Sequence, residues 1–208
     1  MGEVNPHGGK PVDQLEDLKS LVNLRGSIGI QIGASLCAPY YSTGGAYMST
    51  LERLSGIEIW YLHTESYVKV DYEEALLDDL RPHRNLKYFR LVEYNGRKLP
   101  TWAKKCNFAG CLPNLIRIEL KECLGLDRLP WLVLLPCLKI IRLEILPNLA
   151  YLTDDESSLG QFPCREHLYL ENLTKLKGWW PGKYDAPQLP RLKGLWIYEC
   201  PEMTSIPL

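Results

Sequence analysis

Leu115-Ile-Arg-Ile118-Glu-Leu120-Lys-Glu-Cys123 decides how this 208-residue chain folds. Apolar residues at 115, 118 and 120, with a cysteine at 123, follow the frame apolar-x-x-apolar-x-apolar. From 117 to 121 the side chains alternate. Ile118 and Leu120 point to one face, and Arg117, Glu119 and Lys121 to the other, which is the period of a half-buried strand. The same frame recurs at Leu54-Ile57-Ile59-Leu62, Leu86-Phe89-Leu91-Tyr94, Leu138-Ile141-Leu143-Leu146 and Leu192-Leu195-Ile197-Cys200. A sixth copy, Leu168-Leu170-Leu173, carries Arg165 in the leading position, and a weaker seventh lies at Ile28 and Ile30.

With origins at 28, 57, 89, 118, 141, 168 and 195, the steps are 29, 32, 29, 23, 27 and 27 residues. That period and pattern are those of leucine-rich repeats, in which each turn is a short strand followed by a return segment. No turn can cover its own apolar face, so neighbours must stack. The expected class is therefore α/β. It is an irregular leucine-rich-repeat horseshoe of about seven turns, with a parallel concave sheet and a convex side of loops and short helices. Strands are expected near 27–31, 56–60, 88–92, 117–121, 140–144, 167–171 and 194–198. The repeat domain is placed at 15–208, behind an irregular lead-in at 1–14. Arg165 is expected to distort its turn or to aim outward.

Composition fits a protein-binding surface better than the alternatives. Apolar residues make up 46% of the chain, ample for a core, and the net charge is −1, without the positive field that nucleic acid or an anionic membrane requires. No apolar run reaches the ~18 residues of a membrane span. Met1 to Lys10 is polar and unlike a secretory signal. Seven cysteines without such a signal read as reduced thiols. Cys106 and Cys111 lack a second pair at metal-ligand spacing, so no zinc site is expected. Cys123 and Cys200 stand where such repeats take Asn or Cys and are expected to be buried structural thiols.

The return segments differ among themselves. Leu15, Leu18, Leu21 and Leu24 suggest a short helix before the first strand. Gly33 to Thr50 reads as a non-helical loop or mobile insertion. Asp71 and Glu74, ahead of Ala75, Leu76, Leu77 and Leu80, read as a capping box opening a helix that Pro82 ends. Leu99-Pro100-x-Trp102, Leu129-Pro130-Trp131 and Leu135-Pro136 imply loops or 3₁₀ pieces, since proline has no N–H to donate. Trp102 and Trp131 are expected in the convex-side core.

Several segments are similar to a known family. Leu21-Val-Asn-Leu-Arg-Gly-Ser-Ile-Gly-Ile30 resembles the LxNLRGxLxI signature that opens the repeat region of plant nucleotide-binding, leucine-rich-repeat immune receptors of the coiled-coil type. Leu80-Arg-Pro-His-Arg-Asn-Leu-Lys87 and Asn95-Gly-Arg-Lys-Leu-Pro-Thr-Trp102 resemble their LxPHxNLKxLxIxxYxGxxFPxW pattern. Leu173-Thr-Lys-Leu-Lys-Gly-Trp-Trp180 and the stretch from Pro190 to Pro207 are similar to later repeats. Residues 33–71 match less well. The family's phosphate-binding loop has no good counterpart here, because Gly8-Gly9-Lys10 is followed by Pro11. The resemblance implies a non-catalytic repeat region without a cofactor, located in the cytoplasm or nucleus. Its partner would be a pathogen effector, a guarded host protein or the receptor's own nucleotide-binding domain. A stand-alone adaptor or inhibitor is the alternative. Further repeats would be expected after Leu208 in a longer parent.

Outward strand positions define three ladders. The first is Ser27, Gly56, Tyr88, Arg117, Ile140, His167, Gly194. The second is Gly29, Glu58, Arg90, Glu119, Arg142, Tyr169, Trp196. The third is Gln31, Trp60, Val92, Lys121, Glu144, Glu171, Tyr198. Charges alternate along the middle ladder, so Glu58, Arg90, Glu119 and Arg142 can satisfy one another. Tyr169, Trp196 and Tyr198 are expected to cluster at the far end beside Trp179 and Trp180. The candidate protein-binding set is Tyr88, Arg90, Arg117, Glu119, Arg142, His167, Tyr169, Trp196 and Tyr198. His7, His63 and His83 have no metal or triad partners and read as surface residues. No convergent catalytic set is present.

Overall fold

The computed structural model describes residues 11–33, 42–62, 70–98, 100–102, 110–152, 166–179 and 192–204. Seven strands form one sheet, each hydrogen-bonded in parallel to the next in chain order. They are β1 (Gly26–Gly33), β2 (Leu54–Leu62), β3 (Tyr88–Val92), β4 (Arg117–Lys121), β5 (Ile140–Glu144), β6 (His167–Glu171) and β7 (Gly194–Tyr198). The register aligns Ile57, Phe89, Ile118, Ile141, Leu168 and Leu195 as one rung line. This is the leucine-rich-repeat solenoid that the spacing implied.

Alternation explains the sheet. Ile59, Leu91, Ile118, Leu120, Ile141, Leu143, Leu168 and Leu170 are buried behind it, joined by Leu115, Leu138, Leu146, Leu149 and Leu173 from the turns. Each such aliphatic contributes roughly 1.5–3 kcal/mol. Five turns share one strained corner. Glu93, Glu122, Ile145, Asn172 and Glu199, each the residue after its strand, have φ between 52° and 57°. That left-handed conformation swings the chain out of the sheet. Four of these residues also donate their N–H to the last carbonyl of the following strand, as Glu93 does to Lys121 O at 2.9 Å and Asn172 to Tyr198 O at 2.9 Å.

Asparagine side chains tie the turns together. Asn85 Nδ2 donates to Glu52 O at 3.0 Å, Asn114 Nδ2 to Arg84 O at 3.2 Å and Asn148 Nδ2 to Leu124 O at 2.7 Å. Cys123 is fully buried, as expected, and its thiol donates to Lys121 O at 3.4 Å and Leu91 O at 3.7 Å. Burial pushes it up to about 12. Cys200 fills the matching place after β7 but is only half-buried, since β7 is the edge strand of the sheet and packs against β6 alone.

The return segments bring corrections. The first helix, α1, spans Pro11–Ser20. It begins inside the expected lead-in, since Pro11 suits a first helical turn, and it ends before Leu21 and Leu24. Leu15 and Leu18 point into the core. Of the stretch expected as a non-helical loop between β1 and β2, residues 34–41 lie outside the described set, and residues 42–50 are non-helical but closely packed. Tyr47 and Met48 are fully buried, and Met48 bridges Pro82. The second helix, α2, spans Val70–Asp79. Asp71 stands inside the helix rather than before it, and Glu74 accepts from the N–H groups of Arg97 and Lys98 at 2.9 and 3.1 Å. Glu73 accepts from Asn95 N–H at 2.7 Å, so the acidic side of α2 holds the turn after β3. Pro130–Leu134 is a 3₁₀ helix, and Trp102 and Trp131 are buried. Cys111 is disulfide-bonded, which departs from the reading of all thiols as reduced. Cys123, Cys137 and Cys200 are free. Arg165, Trp180, His7 and His63 lie outside the described residues.

Candidate protein interface

The sheet's open face carries the three ladders in the order read from the sequence, because the parallel register aligns every outward position. Its centre is a charge network. Arg90 Nη1 lies 3.4 Å from Glu58 Oε2, and its Nε lies 3.5 Å from Glu119 Oε2. Arg117 binds the same Glu119 carboxylate through Nε at 2.7 Å and also through Nη2. Tyr88 donates its hydroxyl to Glu119 at 3.3 Å. Arg142 reaches Glu171 at 3.2 Å and Glu144 at 3.5 Å, and Lys121 meets Glu144 at 2.5 Å.

Burial and charge follow from this packing. Glu119 faces outward on its strand, yet it is buried beneath Arg90 and Arg117. Val92 is also buried, although it belongs to the third ladder between Trp60 and Lys121. The Tyr88 hydroxyl is pushed up to about 12, first by burial and then by Glu119 and Glu58. Lys121 is raised by its hydrogen bond to Glu144. The candidate set omitted Lys121, Glu144 and Glu171. The pattern signalling their roles was opposite charge at facing positions of adjacent strands, visible in the ladders themselves.

The far end is aromatic. Tyr169 and Trp196 stack with ring centroids 4.3 Å apart and planes 6° from parallel. His167 packs against Trp196 at 5.4 Å, and the Arg142 guanidinium sits 5.8 Å from the Tyr169 ring centroid. Trp196 is 47% exposed and Tyr198 60% exposed. Tyr198 titrates above its ordinary range because its hydroxyl bonds Glu199. Trp179 is not part of this cluster. It is buried on the core side, since its turn packs against the preceding one through the Tyr151–Gly178 bridge.

Among the described residues, no group of three or more His, Cys, Asp or Glu side chains could hold a metal, and no helix is long and apolar enough to cross a membrane. A parallel solenoid sheet with a charge-paired centre and an exposed aromatic shelf defines a leucine-rich-repeat scaffold that offers a surface. Residues 15–146 match the family described as R13L1/DRL21 LRRs, and the chain belongs to that family, the leucine-rich-repeat region of plant disease resistance proteins. It is 32% identical over 143 residues to the disease resistance RPP13-like protein 1 of Arabidopsis thaliana, covering 64% of this chain and 13% of that protein. It is also 29% identical over 188 residues to disease resistance protein RGA1 of Solanum bulbocastanum, covering 90% of this chain and 18% of that protein. For RGA4 of the same plant the figures are 27% over 201 residues, 93% and 19%. The chain thus spans less than a fifth of the length of these relatives.

Proposed function

We propose that this chain is a non-catalytic docking module of a plant immune receptor, working in the cytoplasm or nucleus and using the open face of its sheet to bind protein. The partner is a pathogen effector, a guarded host protein or the receptor's own nucleotide-binding domain held in the resting state. The exposed Trp196, stacked on a half-buried Tyr169 and flanked by the exposed Tyr198, carries this reading. Large aromatic side chains dominate interface energies, and leaving them in water on a parallel sheet has no value for the core. The family supports a role in plant defence, since the matched relatives are named as disease resistance proteins.

The test is co-precipitation of the tagged chain with nucleotide-binding domains of plant resistance proteins and with a panel of pathogen effectors. Trp196→Ala with Tyr198→Ala should abolish capture, because a buried aromatic anchor commonly contributes about 2 kcal/mol or more. Capture that survives the double substitution in a folded protein removes the aromatic shelf from the interface.

A further inference from the structure

Four carboxylates and four cationic groups share the centre of the open face, but they do not sit at the same height. In each pair the cation is the more exposed partner. The side-chain exposures are Arg117 48% against Glu119 8%, Lys121 31% against Glu144 14%, Arg90 32% against Glu58 25%, and Arg142 41% against Glu171 35%. Glu119 and Glu144 lie beneath their cations, while Glu58 and Glu171 stand almost level with theirs, so the middle of the face presents more positive than negative charge to solvent.

That layer surrounds a real hollow. A cavity of about 350 Å³ is lined by Arg90, Arg117, Lys121 and Arg142 around Glu119, with Glu144 at one side. Arg90, Glu119 and Arg142 occupy neighbouring positions of one ladder, while Arg117 and Lys121 flank Glu119 on β4. Strand spacing and rise place the Cα atoms of these four residues at the corners of a diamond about 10 by 13 Å, and the guanidinium groups of Arg90 and Arg117 lean inward onto Glu119. Tyr169 follows Arg142 on the next strand and Trp196 on the one after. The aromatic shelf therefore begins at Tyr169, about 5 Å beyond Arg142, and Trp196 stands about 10 Å beyond it, a distance that roughly three extended residues cover.

We infer that this hollow receives an acidic segment of the protein partner, whose carboxylates enter between Arg90, Arg117, Lys121 and Arg142. An aromatic or aliphatic side chain about three residues along the segment rests on Trp196. This inference depends on the protein-docking reading above and adds the chemistry of what docks. Glu119 is the built-in counter-ion. It satisfies Arg90 and Arg117 while the face is empty and competes with the incoming carboxylates. A nucleic-acid backbone fits less well. It needs a continuous track of positive charge, whereas Glu58, Glu144 and Glu171 bound this patch on both sides.

The probe is a short fluorescent peptide of aspartate and glutamate with a tryptophan three residues after the acidic run, compared with its asparagine and glutamine twin. Binding to the full chain is read by anisotropy, with circular dichroism confirming that each variant is folded. The acidic peptide should bind and its amide twin should not, and added salt should weaken the complex. Glu119→Gln should tighten binding, and Lys121→Gln or Arg142→Gln should weaken it, each by up to about fivefold, the value of one exposed ion pair. Equal binding of the two peptides, indifference to Lys121→Gln and Arg142→Gln, or tighter binding of an oligonucleotide of equal charge would overturn the inference. The docking reading fails separately. If the Trp196 and Tyr198 double substitution abolishes partner capture while Lys121→Gln and Arg142→Gln leave it intact, docking stands and the acidic-segment chemistry falls.

Discussion

Asp79, at the end of α2, accepts a hydrogen bond from the backbone N–H of Thr43 at 2.7 Å, joining a helix to a segment 36 residues earlier in the chain. The same carboxylate also takes Ser42 Oγ at 2.8 Å, Thr43 Oγ1 at 3.1 Å and Gly45 N–H at 3.2 Å. It is 1% exposed, so these donors replace water as its solvation shell. Asparagine has the same shape but offers one acceptor oxygen and turns an NH₂ group toward donors. Asp79→Asn is expected to cost about 3 kcal/mol, the value of losing charge-assisted bonds to a buried group. Urea unfolding measures it. A loss below about 1 kcal/mol would mean that the segment around Tyr47 is held by packing alone.

An interior rung and the last described rung should respond differently to the same change. Leu143 on β5 is fully buried between β4 and β6, while Leu195 on β7 is only half-buried. Leu143→Ala is expected to lower stability by about 2–5 kcal/mol. Leu195→Ala removes fewer contacts and should cost under about 2 kcal/mol. Equal losses in thermal or urea unfolding would show that β7 is packed as tightly as the interior.

The sheet was legible in the sequence because its rule is local and repeated. Two apolar positions per strand face the core, and six copies of one spacing set the register of every ladder. The helices were less legible. Asp71 and Glu74 matched a capping pattern, but Glu74 spends its carboxylate on Arg97 and Lys98 across the turn, a partner chosen by tertiary proximity. Tyr47 and Met48 lie in a glycine-rich stretch with no periodicity, and their burial follows from tertiary contacts, the Met48–Pro82 bridge and the bond from Tyr47 N–H to Asp79 O. At the interface, alternation identified which residues face outward. It could not tell that Glu119 would sink beneath two guanidinium groups, since height above a sheet depends on side-chain length and pairing. Trp179 was misplaced for a related reason: a tryptophan in a return segment can turn either way, and its neighbours decide.

Titration of Cys123 should make the protein sensitive to alkali. Its folded value is pushed up to about 12 by burial, against ~8.5 for a free thiol. The folded state therefore keeps a proton that the unfolded state releases. The stabilisation is fully present below the unfolded value and is lost as pH rises above it. By pH 10 the loss from this group alone is about 2 kcal/mol. Cys123→Ala should flatten the decline in urea-unfolding stability between about pH 8 and 10. An unchanged slope would assign the decline to other groups.

The corner after β5 holds a β-branched residue in a conformation that suits asparagine. Ile145 has φ 56°, and Asn172 fills the same place after β6 with φ 54°. The left-handed region costs roughly 1–2 kcal/mol for an ordinary side chain and less for asparagine. Ile145→Asn should therefore raise stability by up to about 1 kcal/mol, offset by some lost packing, and Asn172→Val should lower it by a similar amount. Opposite signs in thermal unfolding confirm the corner as a shared source of strain.

Gly194 controls the aromatic shelf without belonging to it. Trp196 lies back along β7 over this glycine. A methyl group there would overlap Trp196 Cη2 and stand 2.9 Å from His167 Nδ1. Both obstructing atoms belong to side-chain rings rather than backbone, so the sheet can survive Gly194→Ala while the indole swings away. The stack on Tyr169 would then open, because its 4.3 Å spacing leaves no slack for a displaced ring. Near-ultraviolet circular dichroism should lose the coupled Tyr–Trp signal, while far-ultraviolet spectra and the unfolding midpoint change little. Partner capture should weaken although both aromatic residues remain present. Retention of the near-ultraviolet signal would show that the stack is held by Arg142 and His167 rather than by the space above Gly194.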